Sequence, residues 1–170
     1  MGSGRSAPGC AALIVAGFLC LPAIGQEMPK TAGETLSGKP VVLADEVRGR
    51  PAVLVAGFSR QGGNSTGAWV KSIHADPALS GVTVYQVAQI GGAPSFIRGM
   101  IKSGMRKGVP TAEQDRFVVL TEDDKPWRSY FAVGDDQVSY VVMIDAAGKV
   151  LWRGHGAAAE LEPQLKGALH

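Results

Sequence analysis

The stretch PAVLVAGFSRQGGNSTGAW, residues 51–69, decides the fold. Its first part, residues 51–58, is continuously apolar, as expected for a strand that is covered on both faces of a sheet. A glycine-bearing loop follows, and Asn64, Ser65 and Thr66 are residue types that cap a following helix. Such a strand-to-helix turn is a common place for chemistry in α/β proteins, yet this one holds no cysteine, histidine, carboxylate or lysine.

Strand and helix patterns alternate along the rest of the chain. Apolar and β-branched runs predict further strands at residues 41–43, 81–89, 116–120, 137–145 and 150–154. Helical spacing and capping signals predict helices after residue 66, at 94–110 and at 157–169, and a short capped helix with Pro126 in its first turn. The early alternation requires parallel strands with crossover helices, and the late hairpin adds antiparallel strands. The predicted fold class is α/β, with a mixed central sheet flanked by helices.

Residues 1–25 have the pattern of a secretory signal peptide. Arg5 is their one charge, an apolar run follows, and the segment ends in the small residues around Gly25. The apolar run is short for a membrane span, so a retained anchor is the weaker interpretation. Lipoprotein processing at Cys20 is a further alternative, although Leu19 precedes it where a small residue is expected. The pattern predicts export, to the periplasm in a Gram-negative cell.

The domain division follows from this signal. Residues 26–40 are polar, small and without a period, which predicts a flexible leader, and residues 41–170 form the predicted folded domain. Both cysteines, Cys10 and Cys20, lie in the predicted signal. The mature chain would then lack cysteine, which argues against disulfides, thiol catalysis and cysteine-bound metals.

Charge and motif spacing also narrow the range of ligands. With 17 basic and 15 acidic residues, the chain lacks the basic excess of a nucleic-acid-binding domain. Gly57 and Gly62 have the separation of a phosphate-binding loop, but Gly63 and Asn64 stand where Lys and Ser or Thr are needed. No pair of the three histidines, His74, His155 and His170, has metal-ligand spacing. The sequence therefore predicts no nucleotide, cofactor or metal.

The predicted helix at residues 94–110 is basic and amphipathic. Its apolar side chains, Phe96, Ile97, Met100, Ile101 and Met105, fall on one side, and Arg98, Lys102 and Arg106 recur on another. One interpretation is a surface helix that packs Ile97, Met100, Ile101 and Met105 on the sheet and solvates its cations. The other is a surface that meets anionic lipid headgroups or a membrane protein. Both stay open at this point.

The closing stretch SYVVMIDAAGKVLWRGHGAAAELEPQL is similar to the end of many thioredoxin-like domains. Its pattern Asp145-x-x-Gly148-x-Val150-x-Trp152, followed by Gly-x-Gly, resembles the ATP-ten family of mitochondrial ATP synthase assembly factors. The stretches FSRQGGNSTGAW and GMRKGVP add to the resemblance, which covers roughly residues 34–168. It implies a thioredoxin-like fold and a role in assembling the membrane sector of ATP synthase.

Comparison with redox-active thioredoxin-like proteins implies that this chain has lost the redox site. Their cysteine pair sits at a helix N-terminus, where the helix dipole lowers the thiol pKa. Residues 62–65, Gly-Gly-Asn-Ser, occupy that place here, and Val138-Ser139 replaces the proline that faces the cysteines. Disulfide exchange and thiol peroxidase activity are therefore not expected.

These observations favour binding over catalysis. The leading hypothesis is an exported thioredoxin-like binding protein without redox activity, which assists assembly of a membrane complex as an assembly factor or chaperone. The predicted contact residues are Arg60, Arg98, Lys102, Arg106 and Trp152. One alternative is a cysteine-independent enzyme that uses Ser59, Arg60 and His155. Another is a periplasmic carrier of a small ligand or metal.

Overall fold

Seven strands form one mixed sheet in the computed structural model, which describes residues 26–169. The strands are β1 (Ala32–Thr35), β2 (Pro40–Val42), β3 (Ala52–Gly57), β4 (Thr83–Gln89), β5 (Phe117–Leu120), β6 (Tyr140–Ile144) and β7 (Val150–His155). Their order across the sheet is β2-β1-β5-β4-β3-β6-β7. The central strands β3, β4 and β5 are parallel, and β6 and β7 continue the sheet as an antiparallel hairpin. The predicted mixed sheet is thus confirmed.

Helices cover both faces of the sheet. They are α1 (Leu43–Glu46), α2 (Arg60–Asn64), α3 (Thr66–Ala75), α4 (Ser95–Gly108), α5 (Lys125–Phe131) and α6 (Ala158–Gly167). On one face, Trp69 and Ile73 of α3 and Leu165 of α6 pack against Val53 and Val55 of β3. On the other, Leu54 of β3 belongs to a buried cluster that includes the aromatic side chains of α5, Trp127, Tyr130 and Phe131. β3 is buried on both faces, as its uninterrupted apolar run predicts.

The sheet begins at residue 32, within the segment that the sequence assigns to the leader. β1 pairs with both β2 and β5, and Met28 ahead of it is buried in the core. Its sequence, AGET, shows no alternation because Gly33 lies directly against the core. A β-carbon at Gly33 would be 2.8 Å from Cδ2 of Leu120. Residues 32–35 are therefore held in the sheet by pairing with β2 and β5. Periodicity in the sequence does not reveal such pairing.

The predicted signal peptide lies outside the residues that the structure describes. Within residues 26–169, no helix has both the length and the apolar character needed to cross a bilayer.

Candidate functional site

The turn after β3 is built on two glycines that allow backbones to approach closely. A β-carbon at Gly57 would lie 2.5 Å from Cα of Gly63. A β-carbon at Gly62 would lie 2.6 Å from the carbonyl oxygen of Val138 and 2.7 Å from that of Asp136. Real β-carbons essentially never come this close to other atoms. The two glycines with phosphate-loop spacing therefore have a packing role in this turn.

Hydroxyl groups of the turn are engaged within the protein. Ser59 caps α2: its Oγ accepts a hydrogen bond from the Gly62 N–H at 3.1 Å and donates to the Asp136 carbonyl at 2.5 Å. Capping was predicted instead for the Asn64–Thr66 cluster, and there the prediction is wrong because no side-chain cap bond forms at the start of α3. The hydroxyl of Thr66 donates back to Gly63, 2.8 Å away.

The structure brings together the two segments that flank the redox site in active thioredoxin-like proteins. Ser65 Oγ lies 3.1 Å from Ser139 Oγ, and Gly62 lies beneath the Val138 carbonyl. Ser139 is fully buried, and among the described residues no peptide bond is cis. At this position the protein therefore has a contact between two serine hydroxyls next to closely packed backbone.

Residues 132–139, which we call the covering segment, are held firmly over this turn. The Tyr140 hydroxyl accepts hydrogen bonds from the N–H groups of Gly134 and Asp135, at 2.9 and 2.8 Å. The two terminal guanidinium nitrogens of Arg128, Nη1 and Nη2, donate to the Asp136 carboxylate at 2.5 and 2.8 Å. These hydrogen bonds hold the pKa of Asp136 below its usual value. Arg128 of α5 and Tyr140 of β6 thus hold the covering segment in place over the turn.

A hydrogen bond joins the two stretches that carry the family resemblance. The indole Nε1 of Trp69, which is buried, donates to the carbonyl oxygen of Gly156 at 2.8 Å. Gly156 has a φ of 115°, a conformation that favours glycine. Ser139 Oγ lies 3.3 Å from the same carbonyl oxygen. The Trp of the first motif and the second Gly of the Gly-x-Gly therefore form one contact.

Trp152 is half-buried beside the core between the sheet and helices α3 and α6. Its indole lies across Gly154, where a β-carbon would come within 2.2 Å of the ring. The first glycine of the Gly-x-Gly therefore makes room for the Trp152 ring. The role of Trp152 as a contact residue stays a prediction.

Arg60 is exposed at the first position of α2. His155 lies on β7, with its ring 5.4 Å from that of Tyr140. Within residues 26–169, no hydrogen bond connects Ser59 or Arg60 to His155, and the Ser59 hydroxyl is used as a cap. The structure therefore does not bring together the three residues of the enzyme hypothesis through hydrogen bonds.

The cations of α4 hold the helix to the rest of the domain. The Arg98 guanidinium donates to the carbonyl oxygens of Ala93 and Gly91, at 2.8 and 2.7 Å. Lys102 pairs with Glu34 of β1 at 2.8 Å. Arg106 Nε donates to the Leu36 carbonyl at 2.6 Å. The predicted contact residues Arg98, Lys102 and Arg106 thus also have internal partners.

The apolar side chains of α4 divide between two directions. Ile101 and Met105 pack against a buried cluster that includes Leu36, Phe117 and Val119, as predicted. The interpretation that Met100 also packs on the sheet is wrong, because Met100 is 70% exposed. Phe96 is 86% exposed. Arg98, Lys102 and Arg106 form their hydrogen bonds with the loop before α4 and with the β1 region. The helix orientation that allows these bonds turns Phe96 and Met100 toward solvent. A helical wheel does not show how the helix is rotated relative to the sheet, because it groups all five apolar residues on one face.

A shallow cavity lies between α3 and α6, lined by Ser72, Ala75, Asp76, Pro77 and Glu162. Lys166 pairs with Asp76 at 2.7 Å and approaches Glu162 at 3.8 Å. The Lys166 hydrogen bond lowers the pKa of Asp76, whereas partial burial raises the pKa of Glu162. Across residues 26–169, no group of three His, Cys, Asp or Glu side chains is arranged to hold a metal ion. The charged groups of the cavity join α3 to α6.

Comparison with known proteins agrees with this architecture. The family model described as ATP10 protein matches residues 25–166. No curated protein sequence matches the chain.

Solved structures with the same fold cover most of the chain. The exposed lipoprotein thioredoxin of Streptococcus pneumoniae has a TM-score of 0.56 and 18% identity, over 82% of this chain and 98% of its own. A thiol:disulfide interchange protein DsbE of Chlorobium tepidum has a TM-score of 0.55 and 24% identity, over 85% and 96%. BsSco, of the Sco family of cytochrome c oxidase assembly proteins, has a TM-score of 0.54 and 12% identity, over 84% and 92%. The predicted thioredoxin-like fold is confirmed.

Proposed function

This chain belongs to the ATP10 protein family, and from that premise we propose that it is an exported assembly factor for the membrane sector of an ATP synthase. It acts by binding, without thiol chemistry. Membership of the ATP10 family supports ATP synthase as the complex that this chain helps to assemble. The fold also occurs in a family of cytochrome c oxidase assembly proteins.

One observation carries the absence of thiol chemistry: Gly62 lies directly under the carbonyls of Asp136 and Val138. A cysteine side chain at residue 62 would collide with this backbone. The Ser59 hydroxyl is engaged as the cap of α2, and the Ser65 hydroxyl is engaged in the contact with Ser139. A closed and internally bonded turn supports a role in maintaining the shape of the domain.

Export is supported by the composition of residues 1–25, with a single charge, an apolar run and a small-residue end. If this signal is cleaved, the mature chain has no cysteine, which agrees with a binding role in an oxidising compartment. Fractionation of cells that express the full-length chain tests this part. We expect the protein in the periplasmic or membrane fraction, and its recovery from the cytoplasm at full precursor mass would contradict export.

Affinity purification tests the binding role. The full-length chain, tagged at its C-terminus, is purified from membranes solubilised in mild detergent, and the ATP synthase subunits that accompany it are quantified. We expect subunits of the membrane sector to be enriched over an untagged control. Arg60→Glu should reduce this enrichment, because Arg60 is the exposed cation of the turn. Lys71→Glu, at an exposed position on α3, is the matched control. Absence of these subunits from the purified wild-type protein would overturn the proposal.

A further inference from the structure

The most exposed apolar side chains of the described protein lie one helical turn apart on α4. Phe96 is 86% exposed and Met100 is 70% exposed. Among the other large apolar residues within 26–169, Leu151 alone is also exposed, at 41% on β7. Ser103 and Lys107 continue the same stripe of the helix. We call these four residues, Phe96, Met100, Ser103 and Lys107, the outer stripe of α4.

The charge around the outer stripe is positive and largely uncompensated. No aspartate or glutamate occurs between Asp76 and Glu113, whereas α4 contains four cations. Lys102 has a carboxylate partner in Glu34. The guanidinium groups of Arg98 and Arg106 donate to neutral carbonyl oxygens. Within the described part of the chain, neither these two arginines nor Lys107 forms an ion pair.

The orientation of α4 is fixed by its contacts, so its outer stripe is a defined surface. Ile101 and Met105 pack inward, and Arg98, Lys102 and Arg106 bond the loop before the helix and the β1 region. Phe96 and Met100 therefore stay on the outside without unfolding of the helix. Their insertion into a partner requires no rearrangement of the domain, which lowers the entropic cost of binding.

We propose that α4 docks on an anionic lipid surface, with Phe96 and Met100 inserted at the headgroup level and Arg106 and Lys107 beside the lipid phosphates. A helix with exposed apolar residues and flanking cations is the arrangement that binds anionic membranes. A protein partner fits less well, because a stable interface buries about 800 Å² on each side. The outer stripe offers two large apolar side chains, with Gly99, Ser103 and Gly104 around them.

This inference deepens the proposed function and rests on it, because an assembly factor for a membrane complex works at a membrane. For the test, the full-length chain is expressed and the exported protein is purified. Its co-sedimentation with vesicles is then measured. Vesicles of phosphatidylcholine with roughly one third phosphatidylglycerol are compared with vesicles of phosphatidylcholine alone. We expect binding to the anionic vesicles, weakened by salt through screening of the cations.

Variants assign this binding to α4. Phe96→Ser together with Met100→Ser should weaken binding to anionic vesicles by at least about tenfold, because the inserted apolar area is lost. Leu151→Ser is the matched control and should leave binding unchanged, since it removes an exposed apolar residue from β7. Lys107→Glu should weaken binding severalfold, and Lys71→Glu should not. Circular dichroism of each variant checks that it is folded.

Two results would overturn the proposal: no binding of the wild-type protein to anionic vesicles, or equal binding of the wild-type protein and the double serine variant. The second result would assign membrane binding to another part of the chain. Purification in detergent, which removes the bilayer, separates this proposal from the proposed function. If ATP synthase subunits accompany the protein but vesicles do not bind it, only the lipid proposal fails. If vesicles bind the protein through α4 but no subunits accompany it, only the proposed function fails.

Discussion

The indole Nε1 of Trp69 donates a hydrogen bond of 2.8 Å to the carbonyl oxygen of Gly156, across the face of the sheet that α3 and α6 cover. The two residues come from separate stretches of the sequence, and both belong to the patterns that carry the family resemblance. The contact fixes the start of α3 against the end of the β6–β7 hairpin, next to the contact between Ser65 and Ser139.

Replacement of Trp69 should therefore destabilise the domain without changing its fold. Trp69→Phe removes the donor to Gly156 and leaves a small void at a fully buried position. We expect a loss of about 1–3 kcal/mol in the free energy of unfolding, measured by urea denaturation. An unfolding midpoint equal to that of the wild-type protein would contradict the assigned role of this hydrogen bond.

The close packing at Gly62 predicts a contrast between two adjacent glycines. Gly62→Ala places a methyl group against the carbonyls of Asp136 and Val138 and should cost about 1–3 kcal/mol of stability. Gly63→Ala is the control, because a β-carbon there meets no atom within 4 Å. In helix α2 it should leave stability equal or higher, by up to about 1 kcal/mol. Equal effects of the two substitutions on thermal unfolding would show that the covering segment does not pack on Gly62.

The ion pair between Arg128 and Asp136 predicts a pH dependence with a definite sign. The pKa of Asp136 is lowered in the folded state, so its stabilising effect is present above the pKa of an unfolded aspartate, about 3.9. This contribution is lost as the pH falls through the lower pKa of the folded state. Asp136→Asn should therefore reduce the unfolding temperature at pH 7 by a few degrees, and the difference from the wild-type protein should shrink below about pH 4.

Asp135→Asn is the control for this experiment. Asp135 is exposed and its side chain accepts a hydrogen bond from the Gln137 N–H, which asparagine can also accept. Its unfolding temperature should follow that of the wild-type protein at each pH. A difference between wild-type and Asp136→Asn proteins that persists unchanged at pH 3 would contradict the ionic origin of the effect.

The tethering of α4 predicts a change in local dynamics. Arg98→Met removes the two hydrogen bonds to Ala93 and Gly91, and backbone amides of residues 95–108 should then exchange with deuterium about fivefold faster. Lys107→Met, at an exposed position of the same helix, should leave their exchange unchanged. Equal exchange in the Arg98→Met and wild-type proteins would mean that the other contacts of α4 hold the helix without Arg98.

The sequence predicts the parts of this structure that depend on local pattern. The apolar run of β3 and the alternation around it predict the parallel strands, and the hairpin of β6 and β7 follows from its turn. The sequence also predicts that residues 62–65 and Val138-Ser139 face each other, but only through resemblance to redox proteins. The patterns do not predict β1, because pairing with β2 and β5 stabilises it.

The outer stripe of α4 is also beyond sequence patterns. Phe96 and Met100 lie on the solvent side because cations of the same helix bond the Leu36 carbonyl and Glu34, which come from a distant part of the chain. Such long-range partners decide the rotation of a helix whose apolar residues span a wide arc. The close approach of Gly62 to the covering segment is likewise a tertiary contact, which the spacing of residues along the sequence does not predict.

The level of assembled ATP synthase in cells tests most directly that this chain acts by binding, without thiol chemistry. The gene is deleted, and cells are complemented with the wild-type chain or with a chain carrying Cys10→Ser and Cys20→Ser, which removes both cysteines. Assembled complex is quantified on native gels, and exported chain is quantified in the same cells. We expect the deletion to lower the assembled complex and both chains to restore it equally. An unchanged level after deletion, or failure of the cysteine-free chain at equal exported amounts, would contradict the account.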